Sequence, residues 1–227
     1  ATPLLSEIIK NVFGIPVDRK ILTIVILLIT CSLYTYSALH GIRGINLLSK
    51  ICIGCFFVFL LAVMLFGGKM RFILEEGLSS MGRMLQNFLV LSTTTDPMRE
   101  TSFPQNWTVY YWAYWIVWCV ATPFFIGKIS KGRTIRQVIF GGYVFGAGST
   151  IVSFIVLGNY SLSLQLNGIK DFVGKYIANG DVYSIIIAEI KTLPCSIVFF
   201  ALLLITMVLF YATSFDSIAL TASGYSY

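Results

Sequence analysis

Five apolar runs, residues 21–40, 51–66, 107–127, 138–157 and 193–212, contain no Lys, Arg, Asp or Glu, and they constrain this chain more than any other feature. A helix needs roughly 20 residues to cross the hydrocarbon layer of a bilayer, about 30 Å thick. The second run is the shortest and has room to extend at either end. Lipid offers the backbone no hydrogen bonds, so such runs form helices rather than strands. The expected fold class is therefore all-α transmembrane, with residues 1–227 as a single membrane domain. Composition agrees: 57% of residues are hydrophobic and only 11% are charged, whereas soluble domains carry roughly 25% charged residues. A water-soluble chain of this size could not hide so much apolar surface in one core. Both termini read as cut, so the sequence is expected to be an internal piece of a longer chain.

Loop charges orient the runs. Arg43 and Lys50 follow the first run with no acid between them, and Lys128, Lys131, Arg133 and Arg136 follow the third. The connections 67–106 and 158–192 mix both signs evenly. Short basic loops stay on the cytoplasmic side, which places the long connections outside and predicts a multi-pass protein of the plasma (inner) membrane. The net charge of +6 is spread over these loops rather than along a stripe, so nucleic acid is not an expected partner. Residues 69–91 differ in kind. Phe72, Ile73, Leu74, Leu78, Met81, Met84, Leu85, Phe88 and Leu89 recur at helical spacing, with Glu75, Glu76, Arg83 and Gln86 between them. This is the pattern of an amphipathic helix lying in the interface or packed against neighbouring subunits.

The chemistry-bearing stretch is Asn106–Trp118, in which seven of thirteen residues are Trp or Tyr. Interfacial anchoring explains the first few rings. Trp115 and Trp118 lie deeper, roughly 12 and 16 Å along the helix from Trp107. Helical spacing puts Tyr111, Tyr114, Trp115, Trp118 and Thr122 on one face. Electron-rich rings at membrane depth either pack between helices or form a cage for a quaternary ammonium group, which is held by cation–π attraction. Composition alone leaves both readings open.

Here the residues resemble a known family. Asn106-Trp107-Thr108-Val109-Tyr110-Tyr111-Trp112-Ala113-Tyr114-Trp115 is similar to the signature of the betaine/choline/carnitine transporter family, departing where Tyr114 replaces a Trp. Lys128-Ile-Ser-Lys-Gly-Arg133, Phe103-Pro-Gln and the opening Ala1-Thr-Pro-Leu resemble it too. The resemblance covers nearly the whole chain. It implies part of a five-plus-five inverted-repeat (LeuT-like) transporter fold with substrate near the midplane, and a homotrimeric carrier of glycine betaine, choline or carnitine. It also implies that Tyr114, Trp115 and Trp118 belong to the substrate box, with Thr122 on the same face, and that Trp107 and Tyr111 line the external pathway. The Tyr114 departure bears on substrate preference.

Thr213 and Ser214 precede Asp216-Ser217. Taken alone, such hydroxyls at a helix end are usually bonded back to the preceding turn. The resemblance implies that both help bind Na⁺ as coupling ion, forming part of a site. Sodium-independent exchangers of the family carry an Arg at the position matching Cys52; its absence favours a symporter over an exchanger. The remaining features read plainly. Cys52-x-x-Cys55, like Cys31, Cys119 and Cys195, sits in or beside an apolar run and reads as small helix residues rather than a redox or zinc site. His40 is the only histidine, so no His-based metal cluster or catalytic dyad is present. Gly142-x-x-x-Gly146 predicts close helix packing, and Pro123 and Pro194 predict kinks. A membrane-embedded transferase would require clustered intramembrane acids or histidines, and a channel a filter motif. The runs carry neither, and no cofactor is expected.

Overall fold

The computed structural model describes residues 2–13 and 19–225, and among these it is helical with no strand. In chain order the α-helices are α1 (Thr2–Phe13), α2 (Arg19–Leu39), α3 (Gly41–Phe66), α4 (Met70–Gln86), α5 (Phe88–Thr93), α6 (Tyr110–Ile129), α7 (Ile135–Gly141), α8 (Gly148–Ser153), α9 (Asn159–Leu166), α10 (Phe172–Asn179), α11 (Val182–Ile190) and α12 (Ser196–Tyr225). Single π-helical turns, Gln105–Val109, Gly142–Ala147 and Phe154–Gly158, lead into α6 and join α7 to α8 and α8 to α9.

Among the described residues, four stretches are long and apolar enough to cross a membrane: Lys20–Ser37, Asn46–Phe66, Ile135–Leu166 and Ser196–Ala219. They contain or overlap four of the five apolar runs. The run 107–127 also folds as helix, through the π-turn Gln105–Val109 and α6. The run 193–212 becomes helical only from Ser196, since Pro194 and a Cys195 in the left-handed region (φ 54°) form the turn before α12. Pro194 therefore ends a turn rather than kinking a helix. Pro123 does lie inside α6.

Local chemistry sets the ends of the extramembrane helices. Thr134 Oγ1 accepts from the Gln137 amide at 3.3 Å while Gln137 Oε1 accepts from the Thr134 amide at 3.0 Å, a reciprocal cap that starts α7. Asp171 and Asp181 cap α10 and α11 through the Gly174 and Tyr183 amides. Gly180 closes α10 in the left-handed conformation that glycine adopts without cost. The amphipathic segment forms α4 and α5, interrupted at Asn87, whose side-chain amide donates to the Arg83 carbonyl at 3.0 Å. Leu74, Leu78, Leu85, Phe88 and Leu89 are all exposed, whereas Ile73 is buried in the core of the first unit.

The chain divides into two compact units. The first comprises Ala1–Leu74 and Val152–Ile218 and holds the hydrophobic core, built from α1, α3, α9, α11 and α12 around Ile8, Val63, Ile73, Tyr160 and Phe200. Gly67 is where α3 runs close to Tyr160: a Cβ there would stand 2.7 Å from the ring. In the second unit, Glu75–Ile151 with Ala219–Tyr227, the described residues between 75 and 151 that are buried are Gly77 and Pro104 alone. A Cβ built at Gly142 or Gly146 meets nothing within 4 Å. The close packing predicted for that face is thus not seen among the described residues, where Gly142 and Gly146 lie in a π-turn.

Glu189 on α11 is partly buried against the first unit's core, and its carboxylate accepts a hydrogen bond from Ser161. Beside it, Tyr160 and Thr192 share a hydrogen bond of 2.8 Å. Burial pushes the Glu189 carboxyl up from its ordinary 4.5 to about 7. Between those values the folded unit holds a proton that the unfolded chain releases, so this group's contribution is fully present below pH 4.5 and is lost as pH rises through 7. Thermal unfolding in detergent should therefore show stability falling from pH 5 to pH 8 more steeply in the wild type than in Glu189→Gln. Parallel slopes in the two proteins would contradict the assignment.

Candidate functional site

The aromatic helix is held at its entry by side chains bonded to backbone. Gln105 Nε2 donates to the carbonyls of Thr95 and Asp96, both at 2.8 Å. The Trp112 indole N–H donates to the Ser92 carbonyl at 3.0 Å, tying α6 to the end of α5. Within the connecting loop, the Asp96 carboxylate accepts from the amide and hydroxyl of Thr101, and the amide bond holds it below the usual carboxylate range. Pro104, fixed near φ −60°, begins the helical turn that carries Trp107. Sequence reasoning singled out neither Gln105 nor Trp112 for this role; the bonded partners lie ten and twenty residues away.

On this frame the rings form two columns at i, i+4 spacing. Phe103, Trp107 and Tyr111 make the first, with centroid separations of 6.2 and 6.0 Å, the second pair stacked at 21°. Tyr110, Tyr114 and Trp118 make the other, at 6.2 and 6.1 Å. Edge-on pairs join the columns: Tyr110 with Tyr111, and Tyr114 with Trp115. The single face expected for Tyr111, Tyr114, Trp115, Trp118 and Thr122 is in this chain a broader surface with two sides. Phe103 extends the first column by one turn, a signal already present in its spacing from Trp107.

Two open cavities flank this helix. A groove of about 520 Å³ is lined by Trp107, Tyr111, Trp112 and Trp115 together with Leu91 and Ser92. A larger cleft of about 1290 Å³ lies between α6 and the α7–α8 helix, with Trp115, Thr122, Pro123, Gly142, Gly146 and Arg133 in its wall. Trp115, 62% exposed, belongs to both. Tyr114 and Trp118 line neither. Thr122 donates its hydroxyl to the Trp118 carbonyl at 2.7 Å, leaving its oxygen lone pairs to face the cleft. Among the described residues no Asp or Glu lines either cavity, and Arg133 is the one charged side chain in the cleft lining. An arrangement of open π faces without a carboxylate attracts a cation through ring quadrupoles rather than through ion pairing.

Thr213 and Ser214 lie within unbroken helix α12. Thr213 donates to the Leu209 and Phe210 carbonyls, both at 3.0 Å, and Ser214 to the Phe210 carbonyl at 2.8 Å. Their protons are committed to the helix, while their oxygens remain able to accept a hard cation. Cys52, 2% exposed on α3, hydrogen-bonds the Thr213 side chain. The Asp216 side chain lies outside the described residues. Among the described residues no group of three or more His, Cys, Asp or Glu side chains could hold a metal ion. The His40 ring lies 4.5 Å from that of Tyr36, tilted by 50°, and its Nδ1 meets the Tyr36 carbonyl, at the turn between α2 and α3.

The profile of the betaine/carnitine/choline family of transporters matches residues 1–227. A carnitine transporter of Acinetobacter baumannii is 31% identical over 227 residues, covering 96% of this chain and 40% of that protein. The uncharacterized transporter YeaV of Escherichia coli strain K12 is 31% identical over 218 residues, covering 94% of this chain and 44% of its own length. The chain thus spans less than half of each relative. These are names of transporters, not enzymes.

Gln105→Ala should free the Thr95 and Asp96 carbonyls and loosen the entry to α6, costing about 1 kcal/mol. Amides of the segment 105–112 should then exchange with deuterium faster than in wild type while those of α12 stay unchanged. Unaltered exchange at 105–112 would show that the loop is held by other means.

Proposed function

The chain belongs to the betaine/carnitine/choline transporter family, and from that premise we propose that it forms part of a secondary carrier that moves a quaternary-ammonium compound across the plasma membrane, coupled to Na⁺. The observation that carries this reading is the uncharged ladder of rings on α6, from Trp107 to Trp118. A trimethylammonium group donates no hydrogen bonds, and π faces attract it with up to about 2 kcal/mol per desolvated contact. In this reading Tyr114, Trp115 and Trp118 make the substrate box, with Thr122 beside it, and Trp107 and Tyr111 guide substrate from outside. The two columns would then become walls of one path once further helices of an inverted-repeat fold close over them. Glycine betaine, choline and carnitine share the required head group. Alanine at Trp115 or Trp118 in the intact transporter should weaken binding of such compounds about tenfold or more, near 1.4 kcal/mol, while Phe should do less harm. Wild-type affinity in both alanine variants for all three compounds would remove the cage.

The exposed apolar face of α4 and α5 supports an external helix that contacts other protomers, consistent with a homotrimer. Charge reversal at Glu76 or Arg83 should then shift the oligomer distribution in detergent and leave substrate affinity nearly intact. Lost affinity with an unchanged distribution would count against this role.

Sodium is proposed to use the oxygens of Thr213 and Ser214 together with ligands from elsewhere in the protein. Binding there would favour the substrate-binding arrangement, and by reciprocity substrate would raise sodium affinity. Uptake should require Na⁺ and should lose that dependence, or its activity, in the double variant Thr213→Ala and Ser214→Ala. Equal uptake with and without Na⁺, accompanied by fast counterflow, would identify an exchanger instead.

A further inference from the structure

A further cavity lies entirely within the unit formed by Ala1–Leu74 and Val152–Ile218. It is a cavity of about 490 Å³ bounded by α1, α3, α11, α12 and the turn leading into α9. Leu4, Val63, Leu157, Leu193, Leu203 and Met207 give it apolar walls. Phe59 and Tyr160, both almost fully buried, supply aromatic rings, and Phe154 stands exposed at its edge. Glu189 is the one acidic residue in the lining, and no Lys or Arg lines the cavity.

A carboxylate among apolar walls is costly unless a proton or a cation accompanies it. Ser161 donates one hydrogen bond to Glu189. The Tyr160 hydroxyl, the other strong donor beside it, is engaged with Thr192 at 2.8 Å. Neither group supplies positive charge. A bare metal ion would need several oxygen ligands, and this lining offers few. A small organic ammonium ion meets all three features at once: its charge faces the carboxylate, its methyl or alkyl groups contact the walls, and its surface suits the rings.

We propose that this cavity is a binding site for a small organic ammonium cation, with Glu189 supplying the countercharge and Phe59 and Tyr160 the π faces. The site shares no residue with the aromatic helix, so it stands whether or not Trp115 and Trp118 form a substrate box. Glu189 belongs to the 158–192 connection, which loop charge places outside, so the cation would enter from the external side. With its carboxyl lifted to about 7 by burial, Glu189 is mostly ionised at pH 8 and available to a ligand.

The test is calorimetric titration of the intact, full-length transporter in detergent at pH 8 with tetramethylammonium chloride. It is run on wild type, Trp118→Ala, Glu189→Gln and the combination of the two changes. The Trp118→Ala protein should retain saturable binding, and adding Glu189→Gln should weaken that remaining binding about tenfold or more. Glu189→Asp should keep part of it. Phe59→Leu, which leaves the charge and the apolar wall in place, should weaken it several-fold and guards against a folding defect specific to Glu189→Gln. Residual binding in Trp118→Ala that is unchanged by both Glu189→Gln and Phe59→Leu would overturn the proposal, as would no residual binding at all in a folded Trp118→Ala protein. Failure of the aromatic box reads out separately, as wild-type affinity in Trp118→Ala with Glu189 intact.

Discussion

The backbone of a chain this apolar has no water to bond to once it lies in lipid, and that constraint shapes everything else. Each amide in a spanning segment must find its partner within its own helix, which is why the described residues form helices and no strand. The hydroxyl side chains follow the same rule. Thr30 bonds to Ile26, Ser32 to Leu28, Thr35 to Cys31 and Thr206 to Leu202, each a turn back along its own helix. Thr122, Thr213 and Ser214 obey it as well. The proton of each such hydroxyl is used locally, and its lone pairs are what it still offers.

The same constraint separates the two units by how they are held. In the first, a hydrophobic core of Val63, Ile73, Tyr160 and their neighbours joins elements from both ends of the chain. The second holds together through rings stacked along one helix and side chains bonded to loop carbonyls, with almost no buried residue of its own between 75 and 151. Exposed aromatic surface of this kind is stable in lipid or under neighbouring helices, not in water.

Chemistry is distributed to match. Rings without charge gather on α6, hydroxyl oxygens on α12, and the Glu189 carboxylate is carried by α11. A transporter needs binding that is reversible at each step, and weak attractions from ring faces and shared oxygens release a ligand more readily than a fully desolvated ion pair. Glu189 is the exception, and its burial raises its proton affinity enough to keep it neutral part of the time near pH 7.

Much of this was legible in the residues themselves. The apolar runs dictated helices because length and the lack of charge leave lipid no alternative, and the Trp-Thr-x-Tyr-Tyr-Trp stretch pointed to the family because so many rings at that spacing are rare by chance. The hydroxyl pair read correctly as bonded to the preceding turn, an interaction local in sequence. Tertiary structure alone decided the rest, because the partners are far apart in the chain. It brought Cys52 against Thr213, tied Trp112 to Ser92, and buried Glu189 beside Ser161. It also sorted the rings into two columns and left Gly142 and Gly146 unpacked. Periodicity states which residues share a helix face; only the packing of distant segments determines what that face meets.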